Sequence, residues 1–89
     1  MKNIGYNKIH EIYEVNLEDM NKAVPYMAGI IKELSEQGEN TFVFKFKDPL
    51  MKDIHALNTM LIEANYFTTC LFEKVNDILW YYIQVQIKR

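Results

Sequence analysis

Thr41-Phe42-Val43-Phe44-Lys45-Phe46-Lys47 constrains this chain more than any other stretch. Successive side chains of a strand point to opposite faces, so Phe42, Phe44 and Phe46 share one face, and Thr41, Val43, Lys45 and Lys47 share the other. Three phenylalanines on one face need a cover, because leaving them in water would forfeit about 1.5–3 kcal/mol each. The segment is therefore a strand of a sheet with one face buried under another layer. The next residues reinforce the reading. Asp48-Pro49 predicts a helix start, with aspartate as N-cap and proline in the first helical position.

The flanking segments supply the other layer. Leu50, Ile54, Leu57, Leu61 and Ala64 step by four and three, a narrow helical seam widened by Met51 and Met60. Asn65 suits a left-handed stop. Upstream, Val24, Met27, Ala28, Ile31 and Leu34 follow helical spacing, and Gly38 suits the turn that closes that helix. Pro25 limits where it begins. With Asn21 as N-cap, Pro25 falls in the first turn, where its missing N–H costs nothing. The expected start is thus Asn21 to Val24, with Asn16-Leu17-Glu18-Asp19 as loop.

Period-two alternation predicts three more strands. Lys8 to Val15 alternates Ile9, Glu11, Tyr13 and Val15 with His10, Ile12 and Glu14. Phe67 to Lys74 and Ile78 to Lys88 flank the turn Asn76-Asp77 and form an antiparallel hairpin. In the last strand Leu79, Tyr81, Ile83, Val85 and Ile87 share a face. The order is βαβαββ: an α/β (α+β) two-layer sandwich, with a mixed four-stranded sheet and two helices on one face. The second face is left open or covered by a partner.

At 89 residues there is room for one domain and one core, so residues 1–89 are read as a single unit. An apolar fraction of 49% excludes a disordered chain. Ten Lys and Arg against twelve Asp and Glu leave a net charge of −2, which argues against a nucleic-acid binder that holds phosphates by excess positive charge. A single cysteine makes no internal disulfide. Met1 to Lys8 lacks the apolar core of a targeting signal, and no stretch reaches the ~20 apolar residues of a membrane helix. The expected setting is the cytoplasm, away from membranes.

The element order and four local features resemble the TusA/SirA-like sulfur-carrier family over roughly Ile9 to Lys88. Lys22-Ala23-Val24-Pro25 stands where that family has Cys-Pro-x-Pro at the first helix. Gly38-Glu39 precedes the second strand, Asp48-Pro49 follows it, and a hairpin closes the chain. The resemblance implies a persulfide carrier whose cysteine sits at a helix start, where the helix dipole favours thiolate. The second proline of the motif maps onto Pro25, but the cysteine maps onto Lys22 and the first proline onto Ala23. A lysine cannot hold a persulfide. The chain looks nearer to members that lack the cysteine, and the resemblance implies the scaffold without the chemistry.

Candidate site residues follow from these readings. Lys22 and Pro25 mark the first-helix end. Trp80 and Tyr82 alternate with the Leu79, Tyr81 and Ile83 set; if the helices cover that set, the pair is either exposed or partner-covered as interface anchors, or covered by loops or the N-terminal segment. Cys70, the lone thiol, is either a displaced sulfur carrier or a small apolar residue of the third strand. His10 and His55 lack metal-ligand spacing, and no metal or cofactor is expected. Glu11, Glu14, Glu18 and Asp19 read as solvated charges. The expected role is a non-catalytic protein-interaction or regulatory module, docking on a protein partner or as a homodimer. The alternatives are the sulfur carrier and an RNA-binding module that stacks bases on Trp80 and Tyr82.

Overall fold

The computed structural model describes residues 11–88. The elements run β1 (Ile12–Glu14), α1 (Met20–Glu36), β2 (Thr41–Lys47), α2 (Met51–Glu63), β3 (Tyr66–Val75) and β4 (Ile78–Ile87). This is the βαβαββ order, and the four strands form one mixed sheet in the order β1-β2-β4-β3. β1 is parallel to β2, while β4 is antiparallel to both β2 and β3. The hairpin strand β4 is thus inserted between β2 and β3, and α2 carries the chain across it. Lys8, Ile9 and His10, the expected start of the first strand, lie outside the described residues.

Pairing register sorts the side chains onto two faces. Phe42 pairs with Val85, Phe44 with Ile83 and Phe46 with Tyr81. Phe42, Phe44, Phe46, Ile83 and Val85 are buried, and they pack with Ala23, Met27 and Ile31 of α1 and Ile54, Leu57 and Leu61 of α2. The three phenylalanines therefore meet the helix layer, as the alternation requires. Burying such side chains is the main source of stability in a domain this small.

The loop after β1 and the start of α1 differ from expectation. Asp19, not Asn21, is the N-cap: its Oδ1 accepts the Asn21 N–H at 3.0 Å, and its carbonyl accepts from Lys22 and Ala23. Asn16 accepts the Glu18 N–H at 2.8 Å and turns the chain into that cap. Two side-chain caps in succession outweigh the cost of Pro25, which now lies inside the helix and leaves the Asn21 carbonyl without its helical donor. Ala28, expected in the core, is exposed, because the buried stripe runs through Ala23, Met27 and Ile31.

The C-terminus of α1 follows the expected chemistry. Gly38 adopts φ +96°, its N–H donates to Ser35, and the Glu39 N–H donates to Leu34, a Schellman arrangement. Asn65 ends α2 at φ +75°. The Asn76-Asp77 turn has φ +52° and +65°, the type I′ geometry that matches the twist of a two-residue hairpin.

Asp48 is the main correction. The N-cap of α2 is Leu50, whose side chain supplies no capping bond, and Pro49 precedes the helix rather than opening it. Asp48 instead adopts φ +44°, donates its N–H to the Leu79 carbonyl at 2.7 Å and accepts the Leu79 N–H on Oδ1 at 2.9 Å. An N-capping side chain must reach forward into its own helix, and this one is engaged 31 positions downstream. The α2 seam narrows accordingly: Leu50 is 61% exposed, and Met51, Met60 and Ala64 also face solvent.

Candidate interaction surfaces

The face of the sheet away from the helices carries every second residue of the strands. β2 contributes Thr41, Val43, Lys45 and Lys47; β4 contributes Trp80, Tyr82, Gln84 and Gln86; β3 contributes Phe67, Thr69, Leu71, Glu73 and Val75. Trp80 lies between Lys47 and Glu73, and Tyr82 between Lys45 and Leu71. The Asp48–Leu79 clamp sits one residue before Trp80 and holds the end of the β2–β4 ladder on which the indole stands.

Both large apolar rings here are topped by lysine. Lys45 Nζ lies 4.8 Å from the Trp80 ring centroid, and Lys88 Nζ lies 4.7 Å from that of Phe67. The second ammonium also donates to Asn65 Oδ1 at 3.3 Å. A cation over a ring is held by the ring quadrupole while its aliphatic stem covers apolar surface. Trp80 is accordingly half-buried, and Tyr82 is only 8% exposed. Of the arrangements open to this pair, neither ring is fully uncovered. Phe67, at 56% exposed, is the freer aromatic, and sequence reasoning did not single it out. Burial raises the Tyr82 hydroxyl above its ordinary pKa, with a further contribution from the Glu73 charge.

Lys22 and Pro25 lie elsewhere. Both are exposed on α1, in the layer on the opposite side of the sheet from Trp80 and Tyr82. Lys22 is the third residue of α1 and Pro25 the sixth, so the four candidates form two separate places rather than one site.

Cys70 is exposed, on the helix side of β3, rather than buried as a core thiol would be. Its Sγ approaches Asn58 Oδ1 of α2 at 3.9 Å. The neighbouring Tyr81 hydroxyl is raised by burial first, then by the proximity of Cys70. Cys70 sits in mid-strand beside Asn58, in the body of α2 rather than at its N-terminus.

Two concavities lie among the described residues. A cleft of about 610 Å³ opens at the carboxyl ends of β1 and β2, lined by Glu14, Val15, Asn16, Leu17 and Glu18 on one side and Lys47, Asp48, Pro49, Leu50 and Asp53 on the other. The carboxyl ends of parallel strands are where α/β sheets commonly open a crevice. The sequence shows the carboxylates, but which loops meet depends on strand order. A groove of about 500 Å³ separates the helices, lined chiefly by Val24, Met27, Ala28, Ile31, Leu57, Met60 and Tyr66. Neither concavity is lined by Lys22 or Pro25. Among the described residues, no three His, Cys, Asp or Glu side chains are grouped to hold a metal ion, and His55 is exposed. His10 lies outside the described residues. No helix among the described residues is long and apolar enough to cross a membrane.

No family model, curated protein or solved structure matches the chain. The case for function therefore rests on these surfaces alone.

Proposed function

We propose that this chain is a non-catalytic protein-interaction module that docks through the open face of its sheet. The observation that carries the reading is the shared placement of Trp80, Phe67 and Leu71 on the face opposite both helices, with Lys45 and Lys88 lying on two of the rings. Rigid aromatics supply contact area at low entropic cost, and the lysines at their rims suit a partner that presents an apolar anchor with acidic neighbours. The scaffold is read as TusA/SirA-like, with Lys22 in the first turn of α1 where the carrier cysteine would stand, and the setting as cytoplasmic.

Photo-crosslinking in cells tests this. With a photoreactive residue in place of Gln84 or Thr69 on the open face, one discrete protein adduct is expected, lost when Trp80→Glu is added. The same probe in place of Lys32 on α1 is expected to give none. Equal labelling from both sides of the sheet refutes the reading. Persulfide on Cys70 after treatment with a cysteine desulfurase and cysteine would instead make the chain a sulfur carrier.

A second reading has its own support. The open face is more basic than the chain as a whole, with Lys45, Lys47 and Lys88 against Glu14 and Glu73, and sheet-face aromatics beside lysines suit stacked bases. Filter binding of single-stranded RNA at low salt, falling steeply as salt rises and abolished by Trp80→Ala with Phe67→Ala, would favour it.

A further inference from the structure

The two edges of the sheet are unlike. β1 is three residues long, whereas β3 runs ten residues beside β4 in unbroken register, without proline, glycine or bulge. Short edges, prolines, bulges and inward charges are the ordinary means of protecting an edge from pairing with another chain, and β3 uses none of the first three. Its outward backbone can be assigned. Val75 and Ile78 close the two-residue turn and so form a hydrogen-bonded pair, and such pairs alternate along an antiparallel ladder. Phe67, Thr69, Leu71, Glu73 and Val75 therefore spend their N–H and C=O groups on β4. Those of Tyr66, Thr68, Cys70, Phe72 and Lys74 point away from the sheet.

We propose that this edge, unpaired among the described residues, pairs with β3 of a second copy of the chain, antiparallel about a two-fold axis at Leu71, extending the sheet to eight strands. The side chains favour that axis over one at Glu73 or Cys70. It sets Leu71 against Leu71 of the second copy, Phe67 against Val75 and Thr69 against Glu73 on the open face. On the helix side it sets Cys70 against Phe72 and Thr68 against Lys74. Apolar meets apolar, and each charge meets a hydroxyl. Moving the axis to Glu73 sets two carboxylates against each other, and moving it to Cys70 sets Phe67 against Glu73. The Leu71 axis also aligns the outward groups, Cys70 with Phe72 and Thr68 with Lys74, for a regular ladder. The residues it would cover are among the most exposed apolar ones in the molecule, Phe72 at 65% foremost. The interface lies along the edge, so it leaves the proposed docking face free and continuous across both copies.

Sedimentation and disulfide trapping test the proposal. The wild-type chain is expected to sediment as a dimer that dissociates on dilution. Leu71→Lys, which sets two ammonium groups face to face at the axis, is expected to weaken it at least about tenfold with an unchanged circular dichroism spectrum. Cys70→Pro removes an outward N–H without touching the β4 ladder and is expected to weaken it too. Trp80→Ala is expected to leave it intact. In a Cys70→Ser background, Leu71→Cys is expected to form a covalent dimer with diamide as oxidant. A wild-type monomer at high concentration, a dimer lost with Trp80→Ala, or trapping through wild-type Cys70 faster than through Leu71→Cys each overturns the proposal.

Discussion

Asp48 shows how one side chain can satisfy two structural roles in sequence and only one in the fold. Its local context, Asp-Pro before an amphipathic run, suits an N-cap, and nothing within ten residues argues otherwise. Its actual partner is Leu79, and that partnership exists only because β4 lies next to β2. The residue needs two properties, tolerance of φ +44° and an acceptor at the right reach. Asparagine has both, glycine the first, alanine neither. Asp48→Asn is therefore expected to be near neutral in urea denaturation. Asp48→Gly is expected to cost about 1 kcal/mol for the lost bond, and Asp48→Ala about 2–3 kcal/mol once the left-handed backbone is included. An N-cap would give the same order of Gly and Ala, so the two roles are separated by the indole readout rather than by stability. Because Trp80 follows Leu79, the same series is expected to shift indole fluorescence in the folded state, most in the Ala variant.

At the scale of elements, the strands and helix ends governed by local chemistry were legible. The Phe42-Phe44-Phe46 alternation, the Gly38 and Asn65 stops and the Asn76-Asp77 turn each have a cause within a few residues. The α1 start was not, because two rules conflict there. Pro25 opposes an early start, while Asn16 and Asp19 favour one, and their sum shows only when the loop from β1 is in place. The Asn21 carbonyl therefore lacks its helical donor. Pro25→Ala restores its donor and is expected to raise stability by about 1–3 kcal/mol, read as a higher urea midpoint with an unchanged slope. No gain would mean that Pro25 contributes elsewhere, through unfolded-state entropy or a contact of the α1 surface. The variant also separates the two candidate places: docking through the sheet face is expected to survive Pro25→Ala, since α1 lies on the other side.

The whole molecule adds what no single element holds. The sequence divides the residues between two faces but does not tell which face stays open, nor that Tyr82 is buried on it, since that depends on neighbours from β2 and β3. One global consequence is measurable through pH. Three tyrosines have raised pKa values: Tyr13 by burial first, then by its bond to Glu11 at 3.2 Å and by nearby Glu11, Glu33 and Tyr26; Tyr81 by burial and Cys70; Tyr82 by burial and Glu73. A group whose folded pKa lies above its unfolded value of 10.0 keeps its proton longer in the native state. Its contribution is then fully present below pH 10.0 and is lost as pH rises through the folded pKa. Urea midpoints are thus expected to show no tyrosine-linked change through neutral and mildly alkaline pH and to fall above 10.0, with tyrosinate absorbance at 295 nm, on the order of the usual phenolate band, rising in the same transition. The slope is expected to flatten in Tyr82→Phe and Tyr81→Phe. An unchanged slope in both variants would place the alkaline loss in general charge repulsion rather than in the two faces of this sheet.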